Sequence, residues 1–165
     1  MEHVLGYTIV NDMASDTWKD FHMKDKDDKL IDTDLTVFTA RQATSVYSRS
    51  TDNFGPVGPS ITTKDEVGDP YNLLIYNRLS GILRERSYTN AMVNGIEQTI
   101  HFLSQMFTLL PGSIIHMGTM SFDGYTVEED MLLTHEDYME IEIEKVGVLR
   151  NPVIDLRQKE EEIWH

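Results

Sequence analysis

The stretch Gly6-Tyr7-Thr8-Ile9-Val10-Asn11-Asp12-Met13 places a carboxylate directly after an apolar run. Its middle consists of β-branched and aromatic side chains, which favour a buried β-strand. The run stops at Asn11-Asp12, a pair that favours turns. A carboxylate at the end of a strand is held by rigid backbone and suits a hard divalent cation, which prefers oxygen ligands. The alternative is that Asp12 caps a following helix.

The composition is that of one soluble globular domain. The chain has 165 residues, with 40% hydrophobic and 25% charged residues, which is enough to bury a core. No run approaches the ~18 apolar residues that a membrane helix needs, and the first residues lack the basic-then-apolar pattern of a signal peptide. We therefore predict a cytoplasmic protein that does not bind membranes.

The charge and the lack of cysteine exclude several functions. A formal net charge of −14 argues against a nucleic-acid partner, because binding phosphates needs a basic face. The same charge would slow an anionic substrate unless a local cation reversed the field. Without cysteine the chain has no disulfides, no thiolate catalysis and no sulfur-bound zinc. Residues 24–34 are polar and Asp-rich, and we interpret them as a surface loop.

One helix and several strands are predicted from periodicity. Apolar residues recur at helical spacing from Asn94 to Phe107, and Asn94 with Glu97 forms a plausible capping arrangement. We interpret the apolar stripe of this helix as core packing. Ser80-Gly81 predicts the turn of a β-hairpin, since glycine can adopt positive φ. The predicted strands are 57–63, 73–76, 82–88, 113–117 and 138–148.

The last predicted strand carries an alternating acidic pattern. Glu140, Glu142 and Glu144 alternate with apolar residues. In a strand, alternate residues point to opposite faces, so we place these carboxylates on the solvent-facing side. We therefore prefer a solvated sheet face to a metal site for this pattern.

The opening stretch resembles a strand of the fumarylacetoacetate hydrolase family, and further matches follow in the same order. They are residues 54–59, 63–66, 69–73, 103–105, 110–112, 118–119 and 142–153. The resemblance covers residues 3 to 153, and ordered agreement is more specific than a single motif. It implies a fumarylacetoacetate hydrolase-like domain over residues 1–153 and a C-terminal tail over 154–165. The implied fold is α+β, mainly β, a mixed β-sandwich roll with few helices that forms a homodimer.

The resemblance also implies a chemistry and a set of residues. Acidic side chains would hold Mg²⁺ or Mn²⁺, which binds the oxygens of a 2-oxo or β-diketo acid and stabilises its enolate. Asp12 matches one of these metal ligands. Arg49 falls where the family has a lysine next to the metal, and it is our candidate catalytic residue. Gly118 and Thr119 match a Gly-Thr pair that binds a substrate carboxylate, although Thr119 could equally belong to a plain turn at a strand end.

Two departures from the family pattern keep a second hypothesis open. Asp16 replaces an arginine that faces the substrate in the family, which reverses the local charge. The family's Glu-x-Glu metal pair lies N-terminal to the strand that contains Gly6, and this sequence offers only a few residues there. One carboxylate holds magnesium poorly, so we expect a second chain or a longer sequence to supply the rest, unless catalysis has been lost.

We predict a metal-dependent hydrolase, isomerase or decarboxylase that acts on a small 2-oxo acid. The alternative is a catalytically inactive homologue that serves as a structural or interaction subunit.

Overall fold

The structure, a computed structural model, describes residues 1–14, 49–119 and 133–155. The chain divides into two compact units, one of Met1–Val10 with Val57–His165 and the other of Asn11–Pro56. The predicted surface loop 24–34, the substitution at Asp16 and most of the C-terminal tail lie outside the described residues. No described helix is long and apolar enough to cross a membrane.

A four-stranded antiparallel sheet forms the larger part of the first unit. Its strands are β3 (Leu74–Leu79), β4 (Ile82–Tyr88), β5 (Tyr138–Ile143) and β6 (Gly147–Pro152), in the spatial order β4-β3-β5-β6. β5 therefore lies inside the sheet, and its Ile141 is opposite Asn77 on one side and Leu149 on the other.

The predicted hairpin is present as β3 and β4. Ser80 and Gly81 form its turn with φ of 48° and 82°, the left-handed conformation that a two-residue hairpin turn requires. β3 runs on to Leu79, further than the sequence predicted. The turn is also tied to the start of β5, because Ser80 Oγ donates a hydrogen bond of 2.6 Å to Asp137 Oδ1. Thr134 binds the other oxygen of the same carboxylate through its backbone N–H at 2.8 Å and its hydroxyl at 2.7 Å.

The prediction of one strand over 138–148 was wrong, because the chain reverses direction there. Lys145 adopts φ of 60° and Gly147 φ of 134°, and the Val146 N–H donates to the Ile143 carbonyl at 3.0 Å. The sequence signal was weak because the turn places a lysine, not a glycine or asparagine, in the left-handed region. What looked like one strand is the β5–β6 hairpin.

A two-stranded sheet holds the opening stretch. β1 (Gly6–Tyr7) pairs with β2 (Thr62–Thr63), and Val10 forms an isolated bridge with Val57. The predicted strands over both stretches are thus only partly present. Between the pairings the Thr8 hydroxyl bonds to the carbonyls of Gly58 at 3.0 Å and Ser60 at 2.8 Å. Side-chain hydrogen bonds of this kind replace ladder bonds where the chain is irregular.

Two α-helices, α1 (Lys64–Val67) and α2 (Ile96–Ser104), and a 3₁₀ turn (Thr89–Ala91) lie in the described residues. α2 is shorter than predicted, and its N-cap is Gly95 instead of Asn94. The Gly95 N–H donates to Gln98 Oε1 at 3.2 Å, so the predicted pairing of Asn94 with Glu97 was wrong. The stripe is only partly core, since Ile96 is buried and Phe107 is 60% exposed.

The core of the first unit is formed by residues from α1, from the four-stranded sheet and its loops, and from the opening stretch. Its buried members are Ile9, Val67, Leu73, Val146 and Leu149. Tyr7, Ile141 and Ile143 pack against this cluster from the strands. The inner face of β5 and β6 is therefore set by the isoleucines and Leu149, as period-two alternation requires.

Candidate functional site

Asp12 follows the last bridge of the opening stretch and belongs to the second unit. The preceding Asn11 is 4% exposed, and its N–H donates to the Pro56 carbonyl at 3.0 Å. One residue further, the Met13 N–H donates to the Asn11 carbonyl at 3.0 Å. The backbone on both sides of Asp12 is thus hydrogen-bonded, which restrains the position of the Asp12 Cα from which the carboxylate side chain extends.

The structure brings Asp12 together with Arg49, the two residues that the sequence assigned to the metal and to catalysis. Arg49 Nη1 forms an ion pair with Asp12 Oδ2. The side chains are 46% and 29% exposed, respectively, so the pair remains open to solvent. A guanidinium beside a carboxylate reduces the local negative field, which helps an anionic ligand to approach this acidic chain.

The donor set at Asp12 is small. Among the described residues no group of three or more histidine and acidic side chains is placed to hold a metal ion. A carboxylate is a fitting ligand for Mg²⁺ or Mn²⁺, but these ions need several oxygen ligands. The described residues therefore supply one fitting ligand, Asp12, and not a complete site.

Gly118 and Thr119, the predicted substrate-binding pair, lie in the first unit. Residues 113–119 belong to no strand or helix, so the predicted strand 113–117 was wrong. Its Ile114 is 61% exposed, which shows that this apolar run does not have the buried face that the prediction assumed. Gly118 has φ of 84°, a conformation that favours glycine, and Thr119 is exposed beside it.

The acidic pattern of β5 forms an ion-pair network on the sheet. Arg78 Nη1 lies 3.2 Å from Glu140 Oε1 and 2.8 Å from Glu142 Oε2, and its guanidinium lies over the Tyr76 ring. The hydrogen bond to Glu142 raises the pKa of Arg78 further above its ordinary range. These side chains are only partly exposed, because the cross-strand register places Arg78 opposite Glu140.

A second network was missed by the sequence analysis. Tyr71 Oη accepts a hydrogen bond of 2.8 Å from the Ile96 N–H and donates one to Glu97 Oε2. Burial, followed by the Glu97 hydrogen bond, raises the pKa of Tyr71, and the hydrogen bond from Tyr71 lowers the pKa of Glu97. Both side chains line a shallow depression of about 520 Å³ with Lys64 and Asp69. The Tyr71 hydroxyl thus caps the first N–H of α2. Tyr71 and Ile96 are far apart in sequence and share no local motif, so periodicity could not have found this contact.

The comparison with known sequences decides the family. Residues 1–154 match the model described as Fumarylacetoacetate (FAA) hydrolase C-terminal. The chain belongs to the fumarylacetoacetate hydrolase family. This confirms the resemblance drawn from the ordered motifs.

Relatives within this family cover almost all of the chain. Oxaloacetate tautomerase FAHD2B, mitochondrial, of Bos taurus is 34% identical over 155 residues, which are 93% of this chain and 43% of that protein. The human protein of the same name is 33% identical over 154 residues, with the same coverage. The chain thus spans less than half the length of the curated relatives it matches.

Solved structures of the family confirm the predicted fold class, α+β and mainly β. The fumarylacetoacetate hydrolase of Exiguobacterium antarcticum aligns with a TM-score of 0.70 at 28% identity, over 93% of this chain and 48% of that one. Maleylpyruvate hydrolase of Sphingobium sp. SYK-6, in complex with manganese(II) and pyruvate, aligns with a TM-score of 0.56 at 35% identity. That alignment covers 66% of this chain and 39% of the other. These relatives are named as enzymes, a tautomerase and two hydrolases. Their names support the prediction that the chain comes from a family of enzymes.

Proposed function

We propose that this chain forms part of a metal-dependent enzyme that acts on a small 2-oxo acid through its enolate. Among the reactions named for the relatives, tautomerisation of oxaloacetate is the first to test, because proteins of that name match 93% of the chain. The observation that carries the proposal is the Asp12–Arg49 pair, which joins an oxygen ligand to a cation within a domain of this family.

The proposed cation is Mg²⁺ or Mn²⁺, with Asp12 as one ligand. The manganese(II) and pyruvate bound to the Sphingobium maleylpyruvate hydrolase support this choice of ion and of substrate class. A bound divalent cation polarises a 2-oxo group and lowers the free energy of its enolate. The remaining ligands would come from residues outside those described or from a second chain, since the described residues contain no group of three or more histidine and acidic side chains that could hold a metal ion.

Arg49 would hold negative charge on the substrate. Its guanidinium cannot be deprotonated near neutral pH and presents planar donors that match a carboxylate or an enolate oxygen. Nearly half of the side chain is exposed, so it can reach a ligand without leaving Asp12 entirely. A fixed positive charge at this place offsets the repulsion that a net charge of −14 exerts on an anionic substrate.

Gly118 and Thr119 belong to the first unit, and we propose them separately as groups that bind a substrate carboxylate. Thr119 offers a hydroxyl and a backbone N–H, both of which donate to carboxylates. Gly118 has no side chain to obstruct a ligand, and its left-handed φ of 84° permits a sharp turn of the backbone.

Asp12→Asn tests the proposed function. We expect the full chain to accelerate enol-to-keto conversion of oxaloacetate in MnCl₂ or MgCl₂, and Asp12→Asn to lose on the order of 100-fold or more in kcat/KM, because weakening a metal site typically costs 10–100-fold even at its outer shell. Asp52→Asn is the matched control, an exposed aspartate of the same unit. Circular dichroism establishes that both variants fold.

Two results would refute the proposal. One is a wild-type chain whose turnover stays at the uncatalysed rate in either metal, which would favour the inactive structural subunit. The other is a rate that is equal in wild type and Asp12→Asn. Equal rates would show that catalysis does not pass through this carboxylate.

A further inference from the structure

We infer that the outer face of the four-stranded sheet binds a second copy of this chain, with a two-fold axis that runs along the strands between β3 and β5. The outer face is the side of the sheet opposite Ile141, Ile143 and Leu149, which pack in the core. The inference does not rest on the proposed function, because it uses none of the residues assigned there to metal or substrate.

The cross-strand register places the side chains of the outer face in two rows of four. Residues directly opposite each other in neighbouring strands lie on the same face of a sheet. In the strand order β4, β3, β5 and β6, the first row is Arg86, Tyr76, Glu142 and Val148, and the second is Leu83, Arg78, Glu140 and Arg150. The ion pairs of Arg78 with Glu140 and Glu142 confirm that these side chains share one face.

The outer face differs in charge from the chain as a whole. Its two rows hold three arginines and two glutamates, whereas the chain has a net charge of −14. Two copies with that charge repel each other where acidic surfaces approach, and the sheet face avoids this repulsion. Its margins are open to solvent, since Leu83 is 51% and Val148 is 48% exposed. Arginine and tyrosine are also the residue types enriched where proteins bind each other.

A two-fold axis along the strands makes the face complementary to itself. It keeps the two rows and reverses the strand order, so β3 lies over β5 of the second copy and β4 over its β6. Arg78 then faces Glu140 of the second copy, and Arg86 faces its Val148. The other facing pairs are Tyr76 with Glu142 and Leu83 with Arg150, so no two like charges in these rows meet.

Charge disfavours the other two-fold axis that could stack the two faces. An axis across the strands keeps the strand order and exchanges the rows, which places Glu142 over Glu140 of the second copy. Two carboxylates that face each other in a contact cost affinity. The register therefore selects the axis along the strands.

The face has the area of a weak interface. Four strands about 4.8 Å apart, with six residues at about 3.3 Å each, cover roughly 400 Å². With the relief of the side chains, two such faces remove on the order of 1,000 Å² from solvent, which is the lower limit for a specific interface. We therefore expect a dissociation constant of about 10–100 μM.

The test is sedimentation velocity of the full chain from about 1 to about 500 μM, a range that brackets this constant. The wild type should change from the mass of one chain to twice that mass. Val148→Arg sets an arginine against Arg86 of the second copy and should raise the dissociation constant at least about tenfold. In its own chain the new side chain lies opposite Glu142, which favours folding. Val93→Arg is the matched control, because Val93 is 94% exposed outside the sheet, and it should change nothing.

A compensating change identifies the facing residues. Adding Arg86→Glu to Val148→Arg replaces the repulsion between the two copies by an attraction. We expect the dissociation constant to return to within about threefold of the wild-type value. A structural defect caused by Val148→Arg would not be relieved in this way.

Introduced cysteines give a second readout that does not depend on Val148→Arg folding. The chain has no cysteine, so Arg86→Cys with Val148→Cys supplies the only two thiols. Within one chain these positions are three strand spacings apart, about 14 Å, which is too far for a disulfide. Mild oxidation should therefore give a cross-linked dimer. Replacing Val148→Cys by Val93→Cys should give markedly less of it.

Three results would overturn the inference. A wild-type chain that stays monomeric over the whole range would leave the face to a partner of another sequence. A dimer that Val148→Arg weakens no more than Val93→Arg does would place the contact elsewhere. A dimer whose Arg86→Cys and Val148→Cys pair does not cross-link would contradict the axis along the strands.

Discussion

Replacing Leu149 by alanine tests how the four-stranded sheet is packed. Leu149 lies in β6 opposite Ile141 of β5 and is 5% exposed. It belongs to the buried cluster that contains Ile9 and Val67. The leucine therefore connects the last strand of the sheet to the opening stretch of the chain, and its truncation would leave a cavity between them.

The expected loss follows from this burial. Leucine-to-alanine changes in cores cost about 2–5 kcal/mol, as the sum of lost transfer free energy and a term for the cavity. Leu149 is nearly but not completely enclosed, so we expect about 3 kcal/mol. For a domain of this size each kcal/mol lowers Tm by about 2–4 °C, so the variant should melt about 6–12 °C below wild type.

The assay is urea unfolding followed by circular dichroism, with Val148→Ala as the control. Val148 is the preceding residue of the same strand and is 48% exposed, so its truncation should change the free energy of unfolding by less than about 0.5 kcal/mol. An equal loss of unfolding free energy in the two variants, or a larger loss in Val148→Ala, would refute the burial of Leu149 in the core. A shift of the β6 register by one residue would bury Val148 and expose Leu149. Comparing the two variants would therefore reveal such a shift.

Two further predictions concern hydrogen-bonded side chains. Hydrogen bonds from two hydroxyl groups lower the pKa of Asp137 below its ordinary 3.8, so its stabilising contribution is present above that pH and is lost as pH falls through the folded pKa. Asp137→Asn should therefore flatten the stability–pH curve below about pH 4 in urea titrations, and an unchanged slope would contradict this. Tyr71→Phe removes the acceptor of the Ile96 N–H, so that amide should exchange faster by NMR; equal exchange in Tyr71→Phe and Tyr76→Phe, the control, would argue against the cap.

The sequence by itself determined the features that depend on few neighbouring residues. Ser80-Gly81 predicted a hairpin turn because its φ requirement is local. Helical periodicity located α2, although its N-terminus was misplaced by one residue because a glycine cap carries no side-chain signal. The ordered motifs identified the family and, through it, nominated Asp12 and Arg49 as site residues.

Only the tertiary structure decided which partners these residues have. The ion pair between Asp12 and Arg49 joins positions that are far apart in sequence, as does the contact of Arg78 with Glu142. The residues of 138–148 alternate well enough for one strand, yet the positive φ of Lys145 turns them into two. Periodicity specifies which face a side chain is on, whereas the identity of the opposing group depends on where the rest of the chain folds back, and that is settled by long-range packing.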